Sequence, residues 1–168
     1  MIPKAFPAEN RAMAKRSPEQ LKEDDDRTTS MGLFNTAEAY RLAAIKLGEP
    51  TVWGGDAHKP VQFLYCHAIE LYLRALLRQK HSVETITNKF RHDTRRLVSE
   101  AENLGLFVTA RDRGIFATLA DTDALIEMRY IRTGPKALPI NLQALSQTCK
   151  SVRNSVANLL RNAGVPVR

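Results

Sequence analysis

The stretch FLYCHAIELYLRALLRQKH, residues 63–81, decides the fold. It is apolar almost all round a helix, yet His67, Glu70, Arg74, Arg78 and His81 recur every three or four positions. At about 100° per residue, these five side chains fall within a sector of about 80° and can meet one shared surface. A helix with this much apolar surface belongs in the middle of a bundle. Its polar stripe is where a functional site is to be sought. Glu70 and Arg74 form an i,i+4 pair in the favoured order, which reads either as a salt bridge or as part of a groove completed by a ligand or a second chain.

Working outward, Leu33, Ala37, Tyr40, Ala44 and Leu47 keep a three-to-four spacing, and Gly48 followed by Pro50 marks a stop. The loop TVWGGDAHKP precedes the central helix, placed at about Pro60 to His81, with Asp56 and Pro60 suited to its cap and first turn. A third amphipathic stretch runs from Phe90 through Leu97, Ala101 and Leu104 to Gly105. Shorter helices are expected near 111–120 and 122–132, the second ended by Gly134-Pro135. The last helix starts near Pro139, repeats Leu142, Leu145, Cys149, Val152, Val156 and Leu159, and stops at Gly164. No strand alternation or internal repeat interrupts this series. The expected fold is an all-α, up-and-down bundle of five or six helices over residues 31–165, with residues 1–30 as a polar, mobile or loosely docked extension.

A chain of 168 residues with 43% hydrophobic content can bury a real core. Cys66 and Cys149 sit in apolar helical patterns without CxxC or CxxH spacing, so they read as small core side chains. No signal-like run and no stretch of about 18 uncharged apolar residues is found. A cytoplasmic protein without a membrane partner is expected. The net charge of +7 is unevenly placed. In residues 1–30, Lys4, Arg11, Lys15, Arg16, Lys22 and Arg27 are cancelled by Glu9, Glu19, Glu23, Asp24, Asp25 and Asp26. In residues 74–96, by contrast, Arg74, Arg78, Lys80, Lys89, Arg91, Arg95 and Arg96 face only Glu84 and Asp93. Such a segment attracts phosphate backbones, and Arg78, Arg91, Arg95 and Arg96 are its nucleic-acid surface candidates.

Three chemistries are open to these residues. An arginine that steadies a phosphate and a histidine that moves a proton could support metal-free RNA cleavage, with Arg74 beside His81 or His92. His67, His92-Asp93, Asp121 and Asp123 follow the ligand order of the all-α HD metal phosphohydrolases, although Asp93 in FRHDTRR equally suits a helix start. Without chemistry, the same groups bind. Glycine-rich phosphate loops, GxGxxG and GxSxG are absent, and no cofactor or metal is expected.

HAIELYLRALL (67–77), RHDTRRLVSEAENLGL (91–106) and EMRYIRTG (127–134) together resemble the HEPN family, the higher eukaryote and prokaryote nucleotide-binding helical domains. The resemblance covers roughly residues 33–162. It implies a helical bundle, commonly a homodimer, tied to nucleotide binding, RNA cleavage or toxin-antitoxin and defence modules with a cognate protein partner. The matching positions are Glu70, Arg74, His92, Asp93, Arg129 and Tyr130. With His67, they make the ligand-binding candidates His67, Glu70, Arg74, His92, Arg129 and Tyr130. Nucleases of the family carry an Arg, four to six intervening residues and a His on a late helix. Here Arg153-Asn154 is followed by Asn158 and Leu159, and no histidine occurs after His92. The resemblance therefore implies a module that binds nucleotide, RNA or a protein without catalysis, Arg74 and His92 serving as anion-binding groups.

Overall fold

The computed structural model describes residues 17–48, 58–121 and 140–168. The expected helix at 122–132, its Gly134-Pro135 stop, the Asp56 cap, and the candidates Arg129, Tyr130 and Asp123 lie outside the described residues. Among the described residues every regular element is helical. They are α1 (Pro18–Arg27), α2 (Ser30–Leu47), α3 (His58–Leu77), α4 (Val83–Thr85), a π-helical turn (Ile86–Phe90), α5 (Thr94–Asn103), α6 (Ala110–Asp121) and α7 (Leu142–Asn162). The protein is an all-α helical bundle.

Periodicity explains why α3 is central. It buries Cys66, Ala68, Ile69, Tyr72, Leu73, Ala75, Leu76 and Leu77, which cover most of its circumference, and it packs against α2, α7 and α5. From α2 come Phe34, Ala37 and Ala44, with the Phe34 ring 5.2 Å from that of Tyr72. From α7 come Leu145, Cys149, Val152, Val156 and Leu160; Leu160 is fully buried where the spacing pointed to Leu159. This seam is spent inside the chain. Each buried aliphatic side chain is worth about 1.5–3 kcal/mol against exposure, so the α2-α3-α7 layer dominates the stability.

The helix ends follow local chemistry. Thr29, Asp93 and Asn141 cap α2, α5 and α7 by accepting from the backbone N–H of Gly32, Arg96 and Ala144. Gly105 (φ 96°) and Gly164 (φ 82°) turn the chain after α5 and α7, where Leu106 N–H donates to Ala101 O and Val165 N–H to Leu160 O. Two segments depart from expectation. The central helix ends at Leu77 rather than His81, and residues 83–90 form a short helix running into a π turn, so Phe90 precedes α5 instead of opening it. Within the N-terminal extension, Ser17 and Gln20 form a capping box that starts α1. No residue of α1 is buried.

Candidate functional site

The stripe on α3 does not open onto one cleft. The expectation of a single shared surface is corrected by what covers the helix, because α2, the π turn and α1 each take a different part of it. The His67 ring lies against Tyr40 of α2, edge-on at 4.5 Å, and stacks with Phe63 at 5.7 Å. Arg78 turns to the N-terminal extension. Its Nη2 donates to Asp25 Oδ2 at 2.8 Å and its Nε to Thr28 O at 2.9 Å. His81, beyond the helix end, places Nε2 2.8 Å from Glu100 Oε1 on α5.

Glu70, Arg74 and His92 do come together. Glu70 is only 4% exposed, and its Oε1 receives Arg74 Nε at 2.8 Å and Arg74 Nη2 at 2.7 Å, with His92 Nδ1 at 2.9 Å. Its Oε2 is buried and makes no hydrogen bond. Arg74 Nη2 also donates to the Arg91 carbonyl. Arg91 has φ 49° and ψ −128°, the one positive-φ residue other than glycine among the described residues. That conformation suits glycine, and for a residue with a Cβ it costs on the order of 1–3 kcal/mol. The local reason is the π turn. It adds a residue to the helical count, and the chain must reverse sharply to return His92 to Glu70 and let Asp93 cap α5.

The turn also sets out the basic residues. Lys89, Arg95 and Arg96, together with Phe90, Ser99 and Glu100, line an open groove of about 420 Å³. Arg91 and His92 lie on the adjoining exposed turn, and the His92 side chain is 39% exposed. Arg95 pairs with Asp121, and Arg96 lies 3.2 Å from Asp93 Oδ2. Both arginines are about two-thirds exposed, a setting in which such pairs contribute roughly 0–1 kcal/mol and exchange easily.

A second cluster escaped the sequence. Glu38 on α2 accepts from Arg41 Nη2 at 2.9 Å, from the Tyr72 hydroxyl on α3 and from Arg153 Nε at 2.9 Å on α7. Burial pushes the Glu38 carboxyl up, but the hydrogen bonds from Arg41, Tyr72 and Arg153 outweigh it and hold the group at about 2. Burial and the Glu38 carboxylate raise the Tyr72 phenol. Arg153 also donates to Arg168 O at 2.5 Å. Its guanidinium is thus tied to two other segments. Burial pushes both cysteine thiols up to about 12, as expected of core side chains. Asp112, buried like Glu70, accepts from Thr109, Thr148 and Ser151 and staples α6 to α7.

Among the described residues, those of the metal reading are not assembled. His67 lies among aromatic rings and Asp121 faces Arg95. Among the described residues no group of three or more His, Cys, Asp or Glu side chains is placed to hold a metal ion. None of their helices is long and apolar enough to cross a membrane. Comparison with family models, curated proteins and solved structures finds no match.

Proposed function

We propose that this chain is a HEPN-like helical module that binds RNA through its phosphates, at the junction of α3, the π turn and α5, without cutting it. The observation that carries this reading is the strained turn at Arg91. Backbone strain is retained where the surrounding structure holds it, and here Arg74 and the Glu70-His92 contact hold a turn whose neighbours are Lys89, Arg91, His92, Arg95 and Arg96. The exposed arginine pairs give way to phosphate at little cost, and the open groove admits a backbone rather than enclosing a small molecule. Arg129 and Tyr130 join the site only through the resemblance. A homodimer, which the resemblance also implies, would meet through surfaces other than the α7 seam.

One observation favours a second reading, a metal-independent ribonuclease. His92 sets Nδ1 against a buried carboxylate while its side chain stays 39% exposed, an arrangement suited to a general base. Its proposed partners are engaged elsewhere, Arg74 with Glu70 and the Arg91 carbonyl, His81 with Glu100.

A labelled single-stranded RNA titrated in EDTA tests both readings. Binding is expected to weaken steeply from about 50 to 200 mM salt, and the combined change of Arg91, Arg95 and Arg96 to Ala is expected to lower affinity at least tenfold and reduce the salt slope by about 0.7 per lost contact. Unchanged affinity in that variant would remove the site from this turn. No binding at about 50 mM salt would leave a nucleotide or a cognate protein as the ligand. Cleavage by wild type that disappears in His92→Ala would replace the binding reading with the enzymatic one.

A further inference from the structure

Helix α1 is held to the bundle without burying a residue. Its anchor is Asp25. Oδ2 receives Arg78 Nη2 at 2.8 Å, Oδ1 receives the Val83 backbone N–H at 2.7 Å, and the Asp25 carbonyl takes a further bond from Arg78 at 2.9 Å. A guanidinium and a backbone N–H gripping the two oxygens of one carboxylate is also how a phosphate is gripped. The helix around Asp25 carries Glu19, Glu23, Asp24 and Asp26 against Lys22 and Arg27, and it lies on the segment 74–96, where cations are in excess.

The anchor adjoins the basic groove. Arg78 Nη1 donates to the His81 carbonyl at 3.1 Å, and the His81 side chain meets Glu100 at 2.8 Å and the Phe90 ring at 5.4 Å. Both Glu100 and Phe90 line the groove. Only His81 and Arg78 thus stand between the groove lining and the acidic helix.

We infer that α1 is a displaceable acidic strap: Asp25 occupies, as an internal stand-in for a phosphate, an anion site built by Arg78 and the Val83 N–H, and RNA reaches that site when the strap lifts. The inference rests on the RNA reading for its ligand, but the docking can be tested without RNA. Contacts made by charge and hydrogen bonds at the surface are screened by salt, and an element none of whose residues is fully buried opens at low free-energy cost. While the strap is down, the apparent affinity is reduced by the fraction of molecules in which the site is open.

The experiment uses the full chain and two variants with the same change of charge, Asp25→Asn and Asp26→Asn. Asp26 is exposed, whereas Asp25 is the anchor. RNA affinity is expected to rise about five- to tenfold in Asp25→Asn and less than about twofold in Asp26→Asn. Equal effects would overturn the strap, because only the net charge would then matter. Hydrogen exchange of the α1 amides is the second readout. It is expected to accelerate in Asp25→Asn, to accelerate in wild type as chloride rises, and to be faster in phosphate than in chloride at equal ionic strength. If no variant binds RNA, the RNA reading falls and the exchange alone decides: acceleration supports the anion site, and protection unmoved by salt, phosphate and Asp25→Asn overturns it.

Discussion

Glu38 and Glu70 sit on neighbouring helices and meet similar partners, yet they are used in opposite ways. Each is mostly buried, and each receives an arginine and a ring-bearing side chain. Glu38 spends both oxygens, on Arg41, Tyr72 and Arg153, and ties α2, α3 and α7 together through regular helices. Glu70 gathers every donor on Oε1, leaves Oε2 buried without a hydrogen bond, and reaches a turn whose backbone is strained. A buried polar group that is fully satisfied contributes to the fold. One that is half satisfied and attached to strained backbone gives stability up, and proteins keep such features where the geometry serves something else. The difference separates a structural clamp from a site.

The largest expected effect belongs to the clamp. Replacing Glu38 with Gln strands Arg41, Arg153 and the Tyr72 hydroxyl, and a loss of about 2–4 kcal/mol is expected from the urea midpoint at unchanged slope. The same carboxyl sets an acid limit. Its folded value of about 2 lies below the ordinary 4.5, so its contribution is complete above 4.5 and is lost as the pH falls toward 2. That contribution is on the order of 3 kcal/mol at most. Wild type should thus lose stability over this range by more than Glu38→Gln does. Equal acid sensitivity in the two proteins would take the clamp away from Glu38.

Glu70→Gln is expected to cost less, about 1–2 kcal/mol. The side chain is more buried than Glu38, but Oε2 is desolvated with nothing returned, so less net stability is there to lose. A loss equal to or above that of Glu38→Gln, by the same urea measurement, would erase the distinction between the two glutamates.

The two regions also differ in how far the sequence revealed them. The α3 and α7 cores were legible because apolar spacing repeats over five turns in each, and Gly105, Gly164 and Asp93 announced their roles through ordinary end chemistry. The Glu38 clamp was not, since only Arg41 is a local partner, three residues on, while Tyr72 and Arg153 lie 34 and 115 residues away and no local pattern joins them. For Asp112 a signal was present, the Thr109-x-x-Asp112 spacing of a helix start. So it was for α1, where Ser17 and Gln20 form a capping box and Pro18 stands in the first turn, but the absence of apolar periodicity concealed a helix anchored through Asp25. The π turn was hidden for a different reason. Phe90 and Leu97 are seven apart and both buried, the spacing of a continuous helix, so the pattern survives a break that lies between them. The stripe on α3 was legible as a set of polar residues but not as separate contacts, because what divides it comes from other segments.

The smallest effect concerns the strained turn and has the opposite sign. Arg91→Gly removes the Cβ that makes φ 49° and ψ −128° costly while keeping the carbonyl that accepts from Arg74. If the strain is carried by this one residue, the variant should be more stable than wild type by about 1 kcal/mol, after subtracting the freedom glycine adds to the unfolded chain. It should also bind RNA a few-fold more weakly, because one cation leaves the turn beside the groove. Stability and binding would then move in opposite directions, as they must if the turn is kept for its surface rather than for the fold. A destabilised Arg91→Gly would mean that the Arg91 side chain itself holds the turn, and would move this residue from the site to the scaffold.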